Sequence, residues 1–381
     1  MRVSRLVMTL LFSVHGAAAI AADTQPATLA ASPLAKLNPD MSIILDVGAA
    51  WFAHANHFRQ AGHAPNDSGI ELLGAELAAS ANVDPYFRLD MYYQLRDAEM
   101  EEIYVTTLAL PLNLQARAGL MNASFGRQNP THVHRWRFAD PPLSQTRFMS
   151  EEHFRGLGLE SSVILPLPWY STLLVQTLTS SEATAFNAAT FGVVESTAAG
   201  HVRKIQDMTY VARAEEFFDL TPDWSLLLGG SGALGRSAFA SERRAGLYGG
   251  DMYLRWRPIS SAQGDFALGL TLEYIVRDAA LEVGRVRDHG GYAELAAQLS
   301  RSWEVALRFD GTTTASGALP AALDMPVWQR RAGAALAYLP THFSKIRLQG
   351  EASTDARRSA LGYAVFLQAE VSAGEHGAHK F

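Results

Sequence analysis

Alternation with period two runs through this chain from about residue 41 to residue 372. In "LYGGDMYLRWRP", Tyr248, Gly250, Met252, Leu254 and Trp256 fall on one side of an extended backbone, with Gly249, Asp251, Tyr253, Arg255 and Arg257 on the other. "FALGLTLEYIVR" repeats the pattern, setting Leu268, Leu270, Leu272 and Tyr274 against Thr271, Glu273 and Arg277. "YFRLDMYYQL" separates Phe87, Leu89, Met91 and Tyr93 from Arg88, Asp90, Tyr92 and Gln94, and "SKIRLQGEAS" separates Ile346 and Leu348 from Lys345, Arg347, Gln349 and Glu351. Each run predicts a strand with one apolar and one charged face.

A soluble β-sandwich also alternates, so the connections have to decide. Short turns are predicted near 82–85, 111–113, 166–168, 221–223, 259–265, 300–302 and 340–343. Between most of them lie longer polar connections at 54–69, 126–156, 180–207, 234–246, 278–290 and 311–327, with a brief one at 97–101. A barrel in an outer membrane has tight turns at its periplasmic rim and longer loops outside, and it alternates in this way. The seven short turns join fourteen strands, and one further strand at each end gives about sixteen, with both chain ends on the short-turn rim. The first would be "SIILDVGAAWF" and the last "GYAVFLQAEVS", each near the roughly ten residues that a tilted spanning strand needs. Trp51, Trp169, Tyr170, Trp224, Trp256, Trp303 and Tyr338 lie near strand ends, where interfacial girdles form. Two segments fit less well: "TYVARAEEFFDL" turns either Arg213 and Glu215 or Glu216 toward lipid, and "QRRAGAALAY" opens on charges.

The expected fold is therefore all-β: a closed antiparallel transmembrane β-barrel of about sixteen strands. Its charged face would line the lumen with Asp46, Arg88, Asp90, Glu102, Arg117, Asp251, Arg255, Glu273, Glu304, Arg308, Arg347 and Glu351. Outer-membrane lipid is then one partner and small solutes the other.

Composition adds the compartment. Arg2 and Arg5, an apolar run from Leu6 to Val14 and the small residues ending in Ala19-Ile20-Ala21 predict a secretory signal at 1–21. A flexible periplasmic leader at 22–40, the barrel at 41–372 and a polar tail at 373–381 follow. Cleavage would remove two of the 32 basic residues and none of the 38 acids, which argues against nucleic acid as a partner. The chain has no cysteine, so backbone pairing and packing alone must hold it.

"NPTHVHRWRFADPPL", with "LNPDMSIILDVGAAWF" upstream, "PLPWY" downstream and "GAHKF" at the end, resembles a group of bacterial outer-membrane proteins labelled zinc-regulated TonB-dependent outer membrane receptors. The resemblance spans about residues 37–381. It implies an outer-membrane barrel and zinc-responsive expression, together with a plug domain for which the stretch before the first strand leaves no room. Phe381 resembles the terminal aromatic read by the barrel-assembly machinery, an expected partner. Counting back by twos, however, gives His379, Gly377 and Glu375, which places the last strand's end near Ser372.

The third external connection, 126–156, carries the most chemistry. Sixteen-stranded porins, which this arrangement resembles and which are usually trimers, fold their third loop into the lumen. A homotrimer and an inward third loop are the corresponding expectations here. Arg127, Arg135, Arg137, Arg147 and Arg155 face Asp140, Glu151 and Glu152 in this segment. A surplus of guanidinium at a narrow, poorly screened constriction favours anions; the alternative is that the arginines pair with lumen acids and pin the loop. His132 and His134, two apart in a segment whose prolines exclude a helix, would point the same way and share a zinc ion with His153. His54, His57 and His63 in the first loop and His376 and His379 in the tail are similar clusters, for which loop polarity is the plainer explanation. "GGSGALG" lacks the Lys-Ser/Thr pair of a phosphate loop, and no serine is placed beside a histidine, so no enzyme is expected and no cofactor beyond zinc. The expected function is a porin-like channel for passive diffusion that favours anions; the alternative is a surface binding or uptake protein for zinc or another ligand.

Overall fold

The computed structural model describes residues 39–53, 64–149, 153–179, 205–237, 244–259, 266–280, 284–316, 327–357 and 360–374. Its strands are β1 (Asp40–Phe52), β2 (Gly69–Asn82), β3 (Phe87–Gln94), β4 (Glu99–Thr107), β5 (Leu114–Asn122), β6 (Arg155–Ile164), β7 (Tyr170–Leu178) and β8 (Thr209–Asp219). They continue as β9 (Trp224–Arg236), β10 (Arg244–Trp256), β11 (Ala267–Ala280), β12 (Arg285–Ser300), β13 (Trp303–Ser316), β14 (Trp328–Thr341), β15 (Ser344–Asp355) and β16 (Gly362–Gly374). Each pairs antiparallel with its chain neighbour, and β1 closes on β16 from Ser42 opposite Gly374 to Phe52 opposite Ala364. The sixteen strands thus form a closed barrel with no unpaired edge, the condition for placing a sheet in hydrocarbon. The predicted signal, leader and tail, the histidines at 54, 57, 63, 376 and 379, and Glu151 and Glu152 lie outside the described residues.

The alternation sorts as hydrophobicity requires. Along β11, Leu272 and Tyr274 face outward while Thr271, Glu273 and Ile275 are buried inside. Leu295, Leu307, Leu348 and Leu367 continue the outer apolar belt. Trp224 stacks on Trp256 at 6.0 Å and Trp303 lies 4.7 Å from Tyr338, both pairs at the short-turn rim. In β8, Arg213 and Glu215 face the lumen, leaving Glu216 on the outer face at that same rim. There Trp169 Nε1 and Ser171 Oγ donate to its carboxylate at 2.6 and 2.8 Å, so the charge sits among polar partners at the interface.

"GGSGALG" fills the second half of β9, to within one residue of its end, and a Cβ at Gly229 would collide with the Arg213–Asp251 pair. Glycine there makes room for an ion pair. Two expectations change. The lumen is not charged throughout: Met121, Leu178, Val211, Leu247 and Ile275 turn apolar side chains inward and form a buried cluster. Finally, 129–142 is not extended. It contains a 3-10 turn, Val133–Arg135, and leads into a short helix, α1 (Leu143–Phe148), whose N-cap is Pro142. The prolines end the irregular segment and start a helix, where a missing N–H costs nothing.

Candidate functional site: the inward loop and the vestibule

The described residues of the β5–β6 connection, 123–149 and 153–154, fold into the barrel. Its neck is closed by Asn129, fully buried, whose Nδ2 donates to Ala123 O and Phe154 O at 2.7 and 2.9 Å while its Oδ1 accepts from Phe154 N–H at 2.8 Å. Phe125, Phe148, Met149 and Phe154 then drop into the apolar patch of the wall. That patch explains why the loop goes inward: in an open lumen these four side chains would face water.

Polar contacts carry the loop around the wall. Gly126, at φ +63°, donates to Ser231 Oγ at 3.0 Å, and the N–H groups of Arg127 and Gln128 both donate to Glu273. A side chain at Gly126 would strike that carboxylate. Lys345 Nζ donates to His134 O at 2.6 Å and Arg347 donates to Trp136 O. Ala139 N–H donates to Gln349 Oε1 at 2.7 Å. Asp140 sits at the elbow, wholly buried, accepting from Arg308 at 2.8 Å, from Gln349 at 2.5 Å and from Arg331. Burial alone would raise its carboxyl, but Arg308 and Arg331 outweigh that and hold it below its ordinary value of 3.8.

Beneath the loop, toward the short-turn rim, lies a cavity of about 1530 Å³. Its described lining includes eleven cationic side chains and five carboxylates, in a chain whose net charge is -6. Arg127, Arg135 and Arg137 reach it from the loop, and Arg117, Arg213, Arg255, Arg257, Arg301, Arg308, Lys345 and Arg347 from the wall and turns. Glu160, Glu215, Glu294, Glu304 and Glu370 oppose them. Tyr253 lies under Arg127 at 4.2 Å, and Arg137 bridges Glu294 at 3.0 Å and Glu304 at 3.4 Å. The lining thus holds six more cations than carboxylates, while Arg213 and Arg308 also pair with Asp251, Asp140 and Asp310 set behind it.

The remaining residues expected at a constriction sit elsewhere. Arg147 is buried in α1, bonded to Asp288 at 2.9 Å, Arg155 pairs with Glu99, and neither lines the cavity. Asp140 is likewise the loop's anchor and does not face the passage. A guanidinium with no water must find a carboxylate, and both wall acids supply one. Among the residues expected on the lumen face, Arg117 bonds Glu160 at 2.6 Å, Asp251 bonds Arg213 at 2.7 Å, and Arg88 bonds Asp90 at 2.7 Å. Asp46 accepts from Gln368, and Glu351 lies 3.8 Å from Arg331. Arg331, Asp310, Asp288 and Glu76 escaped the sequence reading. Arg331 and Arg330 open a strand in tandem, and only the register shows which of the two faces inward.

The histidines divide. His132 and His134 come together, rings 5.7 Å apart, although a 3-10 turn and not an extended segment brings them there. His132 Nε2 lies 2.9 Å from Glu102. Burial opposes its charging, but Glu102, Glu76 and Glu101 prevail and push it up to about 9. His153 instead packs on Trp136 at 5.8 Å, with its Nε2 3.4 Å from Thr131 O.

Comparison with known proteins agrees with this architecture. OmpT, an outer membrane protein of Vibrio cholerae, superimposes over 89% of this chain and 98% of its own, with a TM-score of 0.55 and 8% identity. An anion-selective porin from Comamonas acidovorans covers 88% and 99% at a TM-score of 0.54 and 10% identity. The chain is a sixteen-stranded barrel with the fold of these outer-membrane proteins. OprB of Pseudomonas putida shares the fold as well, with a TM-score of 0.53 at 10% identity over 89% of this chain and 95% of its own. In sequence, an uncharacterised protein of Aquifex aeolicus is 28% identical over 355 residues, 82% of this chain and 72% of that protein. No protein-family profile matches the chain. These neighbours support the barrel that the family resemblance implied, and they carry neither its zinc-regulated label nor its receptor label.

Proposed function

We propose that this barrel is an outer-membrane channel for passive diffusion of small solutes and that it favours anions. The basic surplus of the cavity beneath the inward loop carries the reading. A fixed charge excess in a narrow aqueous passage acts with less screening than at an open surface and partitions counter-ions into it. The short-turn rim, where the cavity lies, corresponds to the periplasmic side in barrels of this kind. Arg135, exposed on the underside of the loop, and Arg137, bridged to Glu294 and Glu304, are the loop's contribution to selectivity. Planar-bilayer recordings under a potassium chloride gradient test this. Wild type is expected to reverse on the chloride side, and R135Q/R137Q to move toward cations. A cation-favouring wild type would overturn the reading, and an unchanged double variant would remove these two arginines from the filter.

A second reading is a surface binding or uptake protein without an open lumen. One observation favours it: the loop bonds to β4, β9, β11, β12, β13 and β15, most of the way around the wall. Single-channel conductance separates the two, because a bound loop that blocks flow gives none.

A further inference from the structure

At the edge of the vestibule, which His134 also lines, two strands and the inward loop bring metal-ligating side chains together. Glu76 of β2, Glu101 of β4 and His132 of the loop offer donor atoms that all lie within 4.8 Å of one another. Their convergence has a backbone cause. Between β3 and β4, Tyr92 pairs with Glu102 while Tyr93 pairs with Met100, so Glu101 is the extra residue of a β-bulge. A bulge re-aims side chains, and here it lets two consecutive glutamates approach the same loop histidine, where strict alternation would send one into lipid.

The surroundings suit an ion. Glu102 holds the His132 ring at 2.9 Å, the carboxylate–histidine pairing that orients metal-bound imidazoles. His134 Nδ1 is 3.8 Å from the Glu76 carboxylate. Glu76 is 3% exposed, and its Oε1 has no hydrogen-bond partner. A buried carboxylate oxygen without a donor is costly unless a cation meets it.

We infer that Glu76, Glu101 and His132, with Glu102 and His134 beside them, bind a divalent transition-metal ion that fastens the loop to β2 and β4. Imidazole nitrogen with carboxylate oxygen and no sulfur suits Zn²⁺, Co²⁺ or Mn²⁺; Cu⁺ prefers sulfur, and Ca²⁺ and Mg²⁺ prefer oxygen alone. The ion would hold one side of the loop while Asp140 holds the other, against β13 and β14. The inference stands apart from ion selectivity, since it concerns what secures the loop.

The test uses the full barrel in detergent, stripped with a chelator and titrated with Co²⁺ by visible absorption and with Zn²⁺ by equilibrium dialysis. Saturable binding with the d–d bands of nitrogen and oxygen ligation is expected. Both E76Q/E101Q and H132A should weaken it by roughly 10–100-fold or more, with circular dichroism and heat-modifiable mobility unchanged. H376A/H379A, which removes tail histidines, should retain it. Absence of saturable binding, or binding that persists in folded H132A and E76Q/E101Q, overturns the site.

Discussion

Alanine at Asp140 removes the acceptor on which the elbow of the inward loop rests. Asp140 is wholly buried and bonded to Arg308 at 2.8 Å, Gln349 at 2.5 Å and Arg331. Removing one partner of a buried ion pair costs about 3–5 kcal/mol, mostly through the charge left behind. Here that charge keeps a carboxylate, because Asp310 remains 2.8 Å from Arg308 and 3.3 Å from Arg331, so the low end, about 3 kcal/mol, applies. With 1.36 kcal/mol per decade, the population with a released elbow rises by roughly 10²-fold. Hydrogen exchange of the barrel in detergent reads this directly, since amides that exchange through local opening track that population. In D140A, amides of 139–149 should exchange about a hundredfold faster, while those of β11 and β12 keep their rates. A change below about threefold in that segment, in an intact barrel, would refute the argument that Asp140 holds the loop.

Further outcomes follow from the same geometry. R147Q should leave the reversal potential unchanged, because Arg147 faces Asp288 and not the cavity, yet loosen α1 by about 3 kcal/mol in hydrogen exchange; a selectivity shift matching that of R135Q/R137Q would put Arg147 in the passage. The folded-state pKa of Asp140 is depressed, so its contribution is complete above 3.8 and is lost only as pH falls through a lower value. Exchange in 139–149, corrected for intrinsic rates, should therefore be flat from pH 7 to about 4.5, and acceleration within that window would contradict the pairing. L272R, on the lipid face near mid-strand, should lower folding stability in liposomes by about 2–4 kcal/mol, whereas Q298R, on the cavity wall, should not. Equal losses in denaturant titrations would reverse the assignment of faces.

The barrel was legible because its determinants are local. Side-chain alternation, the ten-residue span and the chemistry of turns such as Thr221–Asp223 need only neighbouring residues to act. Leu272 against Glu273 already says which face meets lipid. Counting turns then gives the strand number and puts both ends of the barrel on one rim. The third loop's arginines were legible in its composition, whereas its inward course was implied only by the resemblance to sixteen-stranded porins.

The assignment of individual arginines could not be read in this way. Arg135 and Arg147 are alike in sequence, yet one is exposed on the cavity and the other is sealed against Asp288, 141 positions away. Adjacent glutamates at 101 and 102 break the alternation in the sequence, but whether that break is a strand end or a bulge is decided by pairing with β3. What the sequence alone determined is the oily outward face and its closure by even-numbered antiparallel pairing; the apolar patch on the inner wall came only from the structure. Tertiary structure decided which inward charges cancel and which remain. Electrostatic partners are chosen by distance in space, and across a closed barrel that distance depends on register and on where a loop finds apolar wall to cover.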